Sequence, residues 1–187
     1  MKNRLLKFSG VLAIIVLWSG ISVSMYKAGL GLIDTRPISF AGTEPETSFL
    51  FSATLITSAI LFGLFGYNIY RKYGCSKWFI ITFMLGQIAQ VVAALFQYGG
   101  EDKLIHTVAA FTLAGAIPTY MLFFALSIKT LSLRSIAFRF YIIELLFFTV
   151  GIGAFIFVKG ISPLAEILPA LPFHAWIIYM TFFSLKQ

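Results

Sequence analysis

Six apolar stretches of about twenty residues each, set apart by short polar segments, constrain this chain more than any other feature. They run from Leu5 to Tyr26, Ser48 to Tyr70, Trp78 to Tyr98, Leu104 to Ile128, Phe140 to Val158 and Ser162 to Leu185. A helix rises 1.5 Å per residue, so about 20 apolar residues cross the ~30 Å hydrocarbon layer of a bilayer. Open strands would leave backbone groups unpaired in lipid, and the alternating segments of a barrel are missing. The expected fold is all-α: a polytopic membrane protein whose 187 residues form a single six-transmembrane-helix bundle.

Composition agrees. Hydrophobic residues make up 59% of the chain and charged residues only 11%, under half of the ~25% usual in a soluble domain. One core could not hide that much apolar surface, so soluble enzymes and nucleic-acid-binding domains are excluded. The lone Cys75 rules out an internal disulfide and a cysteine-rich metal site. The first stretch has basic residues ahead of an apolar run, as a signal peptide does. Its apolar character continues to Tyr26, so it reads as a retained helix.

Charge sets the expected orientation. With the N-terminus in the cytoplasm, the inner segments hold Lys2, Arg4, Lys7, Arg71, Lys72, Lys77, Lys129, Arg134, Arg139 and Lys186, with no acid. The outer segments hold Lys27, Arg36, Lys103 and Lys159, together with all the acids except Glu144. Both termini are thus expected in the cytoplasm. The net charge of +7 is accounted for by topology and anionic lipid, not by nucleic acid. The short connections make sequential helices antiparallel neighbours. The exception is the outer loop 27–47, rich in Gly, Pro and mixed charge, which is expected to form an ordered cap.

Polar groups gather toward this outer end. Asp102 and His106 share a face at the start of the fourth span, Glu166 opens the sixth, and His174 lies deeper, beyond Pro169 and Pro172. Together they could bind a cation or activate water, since His beside a carboxylate supplies a base and its orienter. Capping explains them separately: Glu101, Asp102 and Glu166 suit first helical turns, and Ser162-Pro163 reads as an N-cap with Pro at the next position. No HExxH or HxxxH spacing is present, so no metal and no cofactor is expected. Gln87, Gln90 and Gln97 form a polar stripe on the third span. It is either a headgroup cleft or a set of interhelical hydrogen bonds with Ser52, Thr54, Thr57 and Ser58. Ser19, Gly20, Ser22, Ala109, Ala110, Ala114 and Gly115 read as close-packing positions. Glu144 lies about five residues inside the fifth span as predicted. A charge there must be neutralised by protonation, by Arg134 or Arg139, or by a functional role.

The loop segment Pro37-Ile38-Ser39-Phe40-Ala41-Gly42-Thr43-Glu44-Pro45-Glu46-Thr47-Ser48, followed by Phe51, resembles a signature of the Frag/DRAM/Sfk family. That family includes the damage-regulated autophagy modulators and the N-terminal part of the CWH-type lipid-remodelling protein. Phe96-Gln97 with His106 and Ala109-Ala110, then Glu166 with Tyr179 and Thr181-Phe182, resemble its later motifs in the same order. Phe40 and Thr107 stand where the family has aspartates, and Glu144 matches nothing in its pattern.

The resemblance implies a six-helix protein of lipid metabolism or organelle membranes, acting as an accessory or regulatory factor. The leading expectation is a non-enzymatic protein of lipid homeostasis that binds a lipid headgroup at its outer face. His106, Glu166, Gln97, Glu46 and His174 are its ligand-binding candidates. One alternative is an intramembrane lipid hydrolase or acyl-transfer enzyme with His106 as base and Glu166 or Asp102 as orienter. Another is a proton-linked transporter using Glu144. Membrane lipid is the expected partner, with a protein partner or a second copy also compatible. The membrane concerned is a bacterial inner membrane or a eukaryotic plasma membrane or endomembrane.

Overall fold

The computed structural model describes residues 2–32, 34–157 and 163–184. Among these the chain is helical, without strands, and six helices are long and apolar enough to cross a membrane. The first five are α1 (Lys2–Lys27), α2 (Ser48–Tyr73), α3 (Lys77–Leu95), α4 (Lys103–Ser127) and α5 (Leu131–Phe157). The sixth span, Pro163–Phe183, is assembled from α6 (Pro163–Ile167), α7 (Ala170–Tyr179) and a closing π-helical turn, Met180–Ser184. The predicted boundaries Val158, Ser162 and Leu185, the Ser162 cap, and the charges Lys159 and Lys186 lie outside the described residues.

Three details depart from the hydropathy reading. α5 starts at Leu131 instead of Phe140. Arg134 and Arg139 lower the hydropathy there but do not prevent a helix: both are exposed, while Ala137 between them is buried. Glu144 is therefore the middle residue of α5 and not a group near its end. α3 stops at Leu95 and Phe96 is extended, which leaves Gln97 in a turn and off the glutamine face. The sixth span is interrupted at Leu168 and Pro169, because Pro169 and Pro172 each lack an N–H and crowd the carbonyl four residues back.

Neighbours in sequence pack side by side from α1 to α5, and α7 returns against both α5 and α1. The middle of the bundle is aromatic. Phe83 and Tyr120 have ring centroids 4.6 Å apart, Phe124 and Trp176 5.2 Å, and Phe173 lies 5.4 Å from both Phe62 and Tyr120. α5 is peripheral, with Ile142, Ile143, Leu146 and Val150 all exposed on it. Lipid tails are as apolar as these side chains, so the helices are held by close fit and hydrogen bonds.

Gly20 supplies such a fit. A Cβ there would collide with the Thr54 side chain of α2, which is branched at Cβ and cannot turn aside. We expect Gly20→Val to lower stability by roughly 1–3 kcal/mol through overpacking. Thermal unfolding in detergent measures this, and an unchanged midpoint would refute the close α1–α2 approach.

The bundle has two chemically distinct rims. One carries the α1–α2 loop, the α3–α4 turn and α6. The other carries the α2–α3 and α4–α5 turns with Arg71, Lys72, Lys77, Lys129, Arg134 and Arg139. At this basic rim Ser76 caps α3 by accepting from the Phe79 N–H, and its own N–H donates to Ser127 Oγ at 2.9 Å. Burial pushes the Cys75 thiol there up to about 12, so it stays protonated and unreactive at neutral pH.

Candidate functional site

The loop rim is organised by the 27–47 segment. α1 ends in a left-handed turn at Gly29 (φ 63°), with the Leu30 N–H donating to the Met25 carbonyl. Asp34 then accepts from both the backbone N–H and the guanidinium of Arg36, whose Nη2 also donates to the Gly29 carbonyl. Arg36 lies over the Phe40 ring at 4.9 Å. A 3₁₀ turn, Ile38–Gly42, follows, and the Thr47 hydroxyl closes it by donating to the Ala41 carbonyl. Beneath the loop, Ile38 and Ala41 pack with Ile21, Met25, Leu30 and Phe51 in a small apolar core.

The hydrogen bond from Arg36 holds the Asp34 carboxyl down at about 2, from an ordinary 3.8. A depressed acid stabilises the folded loop above its unfolded pKa, and that contribution disappears as pH falls through the depressed value. We therefore expect the protection of amides in residues 34–42, corrected for the intrinsic pH dependence of exchange, to fall as pH drops from about 4 to about 2. Asp34→Asn should exchange faster already at neutral pH and lose this acid dependence. Identical pH profiles for the two proteins would refute the staple.

Two of the candidate residues fasten the loop and its neighbours. Glu166 on α6 accepts from the Ile38 N–H at 2.6 Å, at the start of the 3₁₀ turn, and the Leu164 N–H donates to the Leu32 carbonyl nearby. His106 on α4 is buried, and its Nδ1 lies 2.9 Å from the Ala93 carbonyl and 2.8 Å from the Phe96 carbonyl. Both partners are acceptors, so Nδ1 carries a proton and donates it. These carbonyls are among those left open at the end of α3, and His106 closes them. Tyr98 packs edge-on against the imidazole, and Lys103 lies over the Tyr98 ring. The same turn meets the loop: a Cβ on Gly99 would stand 3.4 Å from Thr43 Cγ2.

The remaining candidates are dispersed. Asp102 is exposed, and Gln97 is half-buried in the turn. His174 is buried inside the bundle, where Trp18 Nε1 donates to its Nδ1 at 3.2 Å and Phe62 stacks on its ring. Gln90 donates to Ser58 Oγ and the Leu55 carbonyl across the α2–α3 contact, and Ser52 donates to the Ala94 carbonyl. Gln87 donates to the Phe83 carbonyl on its own helix. Among the described residues, His106 and Glu166 form no hydrogen bond or ion pair with each other, and no three His, Cys, Asp or Glu groups are arranged to hold a metal ion.

Glu46 borders an open groove of about 300 Å³ between the end of α1 and the descending arm of the loop. Lys27, Ala28, Glu44, Pro45 and Thr47 complete its wall. Sequence reasoning missed Lys27 and Glu44 as site residues, because only the folded loop brings the end of α1 against residues 44–47. No family model, curated protein or solved structure matches the chain. Fold and site together define its class: an all-helical, multi-pass integral membrane protein with an ordered, charged cap over one rim.

Proposed function

We propose that this protein serves lipid homeostasis by binding a lipid headgroup at its loop rim, without itself catalysing a reaction. The groove is the observation that carries this reading. It places one cation, Lys27, opposite two carboxylates, Glu44 and Glu46, at the end of a membrane-length helix. A phosphate on Lys27 and an ammonium group on the glutamates would both be matched, which fits a zwitterionic phosphoethanolamine headgroup. His106 and Glu166 contribute by fixing the α3–α4 turn and the loop that form the rim. The resemblance to the Frag/DRAM/Sfk family supports the same assignment. The basic rim faces the cytoplasm in this proposal, with both termini inside and the groove on the other side.

The test is mass spectrometry of lipid that co-purifies in detergent, with affinity measured for short-chain phosphatidylethanolamine. Lys27→Ala and the double variant Glu44→Gln/Glu46→Gln should each weaken binding about fivefold, as expected for loss of roughly 1 kcal/mol at an exposed charge. Wild-type affinity in both variants would remove the headgroup role. Labelling of Glu46→Cys by an impermeant thiol reagent from the cytoplasmic side alone would overturn the orientation.

A further inference from the structure

The headgroup reading makes no use of Glu144, the most unusual residue in the bundle. It is fully buried at the centre of α5, while Ile142, Ile143, Leu145 and Leu146 around it are exposed. The helix thus turns apolar side chains outward and its single acid inward. Among the described residues both carboxyl oxygens lack a hydrogen-bond partner, as does the Tyr120 hydroxyl on α4, which lies close enough to interact electrostatically with the carboxyl. The carboxyl also approaches the Phe173 backbone N–H in the first turn of α7 without closing a hydrogen bond. Seven residues along the same face of α5, Gly151 is seated on the α6–α7 break. A Cβ there would lie 3.0 Å from the Ala165 carbonyl and 3.1 Å from Pro169 Cγ.

We propose that Glu144 is a proton-binding site within the bundle and that its charge state sets how α6 and α7 seat against α5. The ligand is the proton, which needs no cavity. The titratable and charged groups on the surrounding elements are placed as follows. Arg134 lies over the Phe138 ring and Arg139 is exposed, both toward the basic rim. Tyr141 is half-buried on α5 itself. Tyr179 packs on Phe140 and Phe183, and the His174 ring faces Trp18 and Phe62. Glu166 holds the Ile38 N–H. Among the described residues, Tyr120 and the N-terminal turn of α7 are the groups placed to answer Glu144. The neutral acid can stay packed as it is. The anion needs donors, and those within reach are the Tyr120 O–H and the N–H groups that open α7, where the helix dipole favours negative charge. Taking them draws on an α7 that is already separated from α6 at Leu168 and Pro169, so the break serves as the hinge.

The experiment titrates the full chain in detergent between about pH 5 and about pH 10, following the infrared band of protonated carboxyl and the hydrogen exchange of residues 163–179. In the wild type the band should vanish as pH rises while exchange in 163–179, corrected for base catalysis, increases roughly tenfold. Glu144→Gln, which mimics the neutral acid in shape and is expected to fold, should lack both changes. Tyr120→Phe, which deprives the anion of a donor, should enlarge the rise in exchange. Absence of a Glu144-dependent band across the range would overturn the proton site. A band that titrates while exchange stays flat, or identical pH profiles in wild type and Glu144→Gln, would overturn the coupling to α7.

Discussion

Glu166→Ala will detach the loop from the sixth span. The Ile38 N–H now donates to the Glu166 carboxylate at 2.6 Å, and Ile38 itself is buried, so truncation leaves a donor with little access to water. Leaving a buried donor without its partner costs about 1–3 kcal/mol, so a loss of about 2 kcal/mol is expected. The consequences should be local first. Amides of residues 34–42 should exchange faster, followed by those around Leu164, whose N–H is the other tie between α6 and the loop. Glu166→Gln keeps a carbonyl acceptor of nearly the same reach and should recover much of the protection. If the alanine variant leaves loop exchange and unfolding midpoint as in the wild type, the loop is held by its apolar underside alone. The same pair of variants tests the headgroup site: the groove uses residues 44–47, so a loosened loop should weaken lipid binding in Glu166→Ala more than in Glu166→Gln.

The spans were legible because membrane-length helices obey a one-dimensional rule, a sustained apolar run. Where a feature depends on something else, the run misleads. The first turns of α5 carry two arginines and so look like a loop, but their exposure at the rim makes the charge harmless to the helix. The break in the sixth span was foreshadowed by Pro169 and Pro172, yet hydropathy is blind to backbone hydrogen bonding. The site was harder. His106 and Glu166 were singled out as a pair because imidazole and carboxylate suggest acid–base chemistry, whereas in the fold each answers a backbone group. Nothing local reveals that. The partners of His106 lie at and just beyond the end of α3, and Glu166 meets Ile38 across 128 positions of sequence. Trp18 and His174, 156 positions apart, show no periodic signal that would join them. Gln90 met the hydroxyl partner suggested for it in Ser58, since that pairing follows from two adjacent antiparallel helices.

The second large effect is expected at His106. Its Nδ1–H serves two carbonyls at the end of α3, and one of them, Phe96, begins the extended segment that carries the chain to Tyr98 and Gly99. His106→Ala should therefore cost about 1–3 kcal/mol, the desolvation cost of buried acceptors left without a donor. It should also loosen the contact of Gly99 with Thr43, by which the turn supports the loop. Ser52 donates to the adjacent Ala94 carbonyl, so a double-mutant cycle with Ser52→Ala should show coupling above the ~0.5 kcal/mol expected of independent sites. His106→Asn separates support from chemistry, because its amide can donate to one of the carbonyls but offers neither Nε2 nor a titratable ring. If His106 acts by supporting the rim, the asparagine variant should keep most of the stability and lipid affinity lost in the alanine variant. If instead it regains stability and still loses the lipid, then Nε2 touches the headgroup directly and the binding site extends from the groove at Lys27 and Glu46 to the α3–α4 turn.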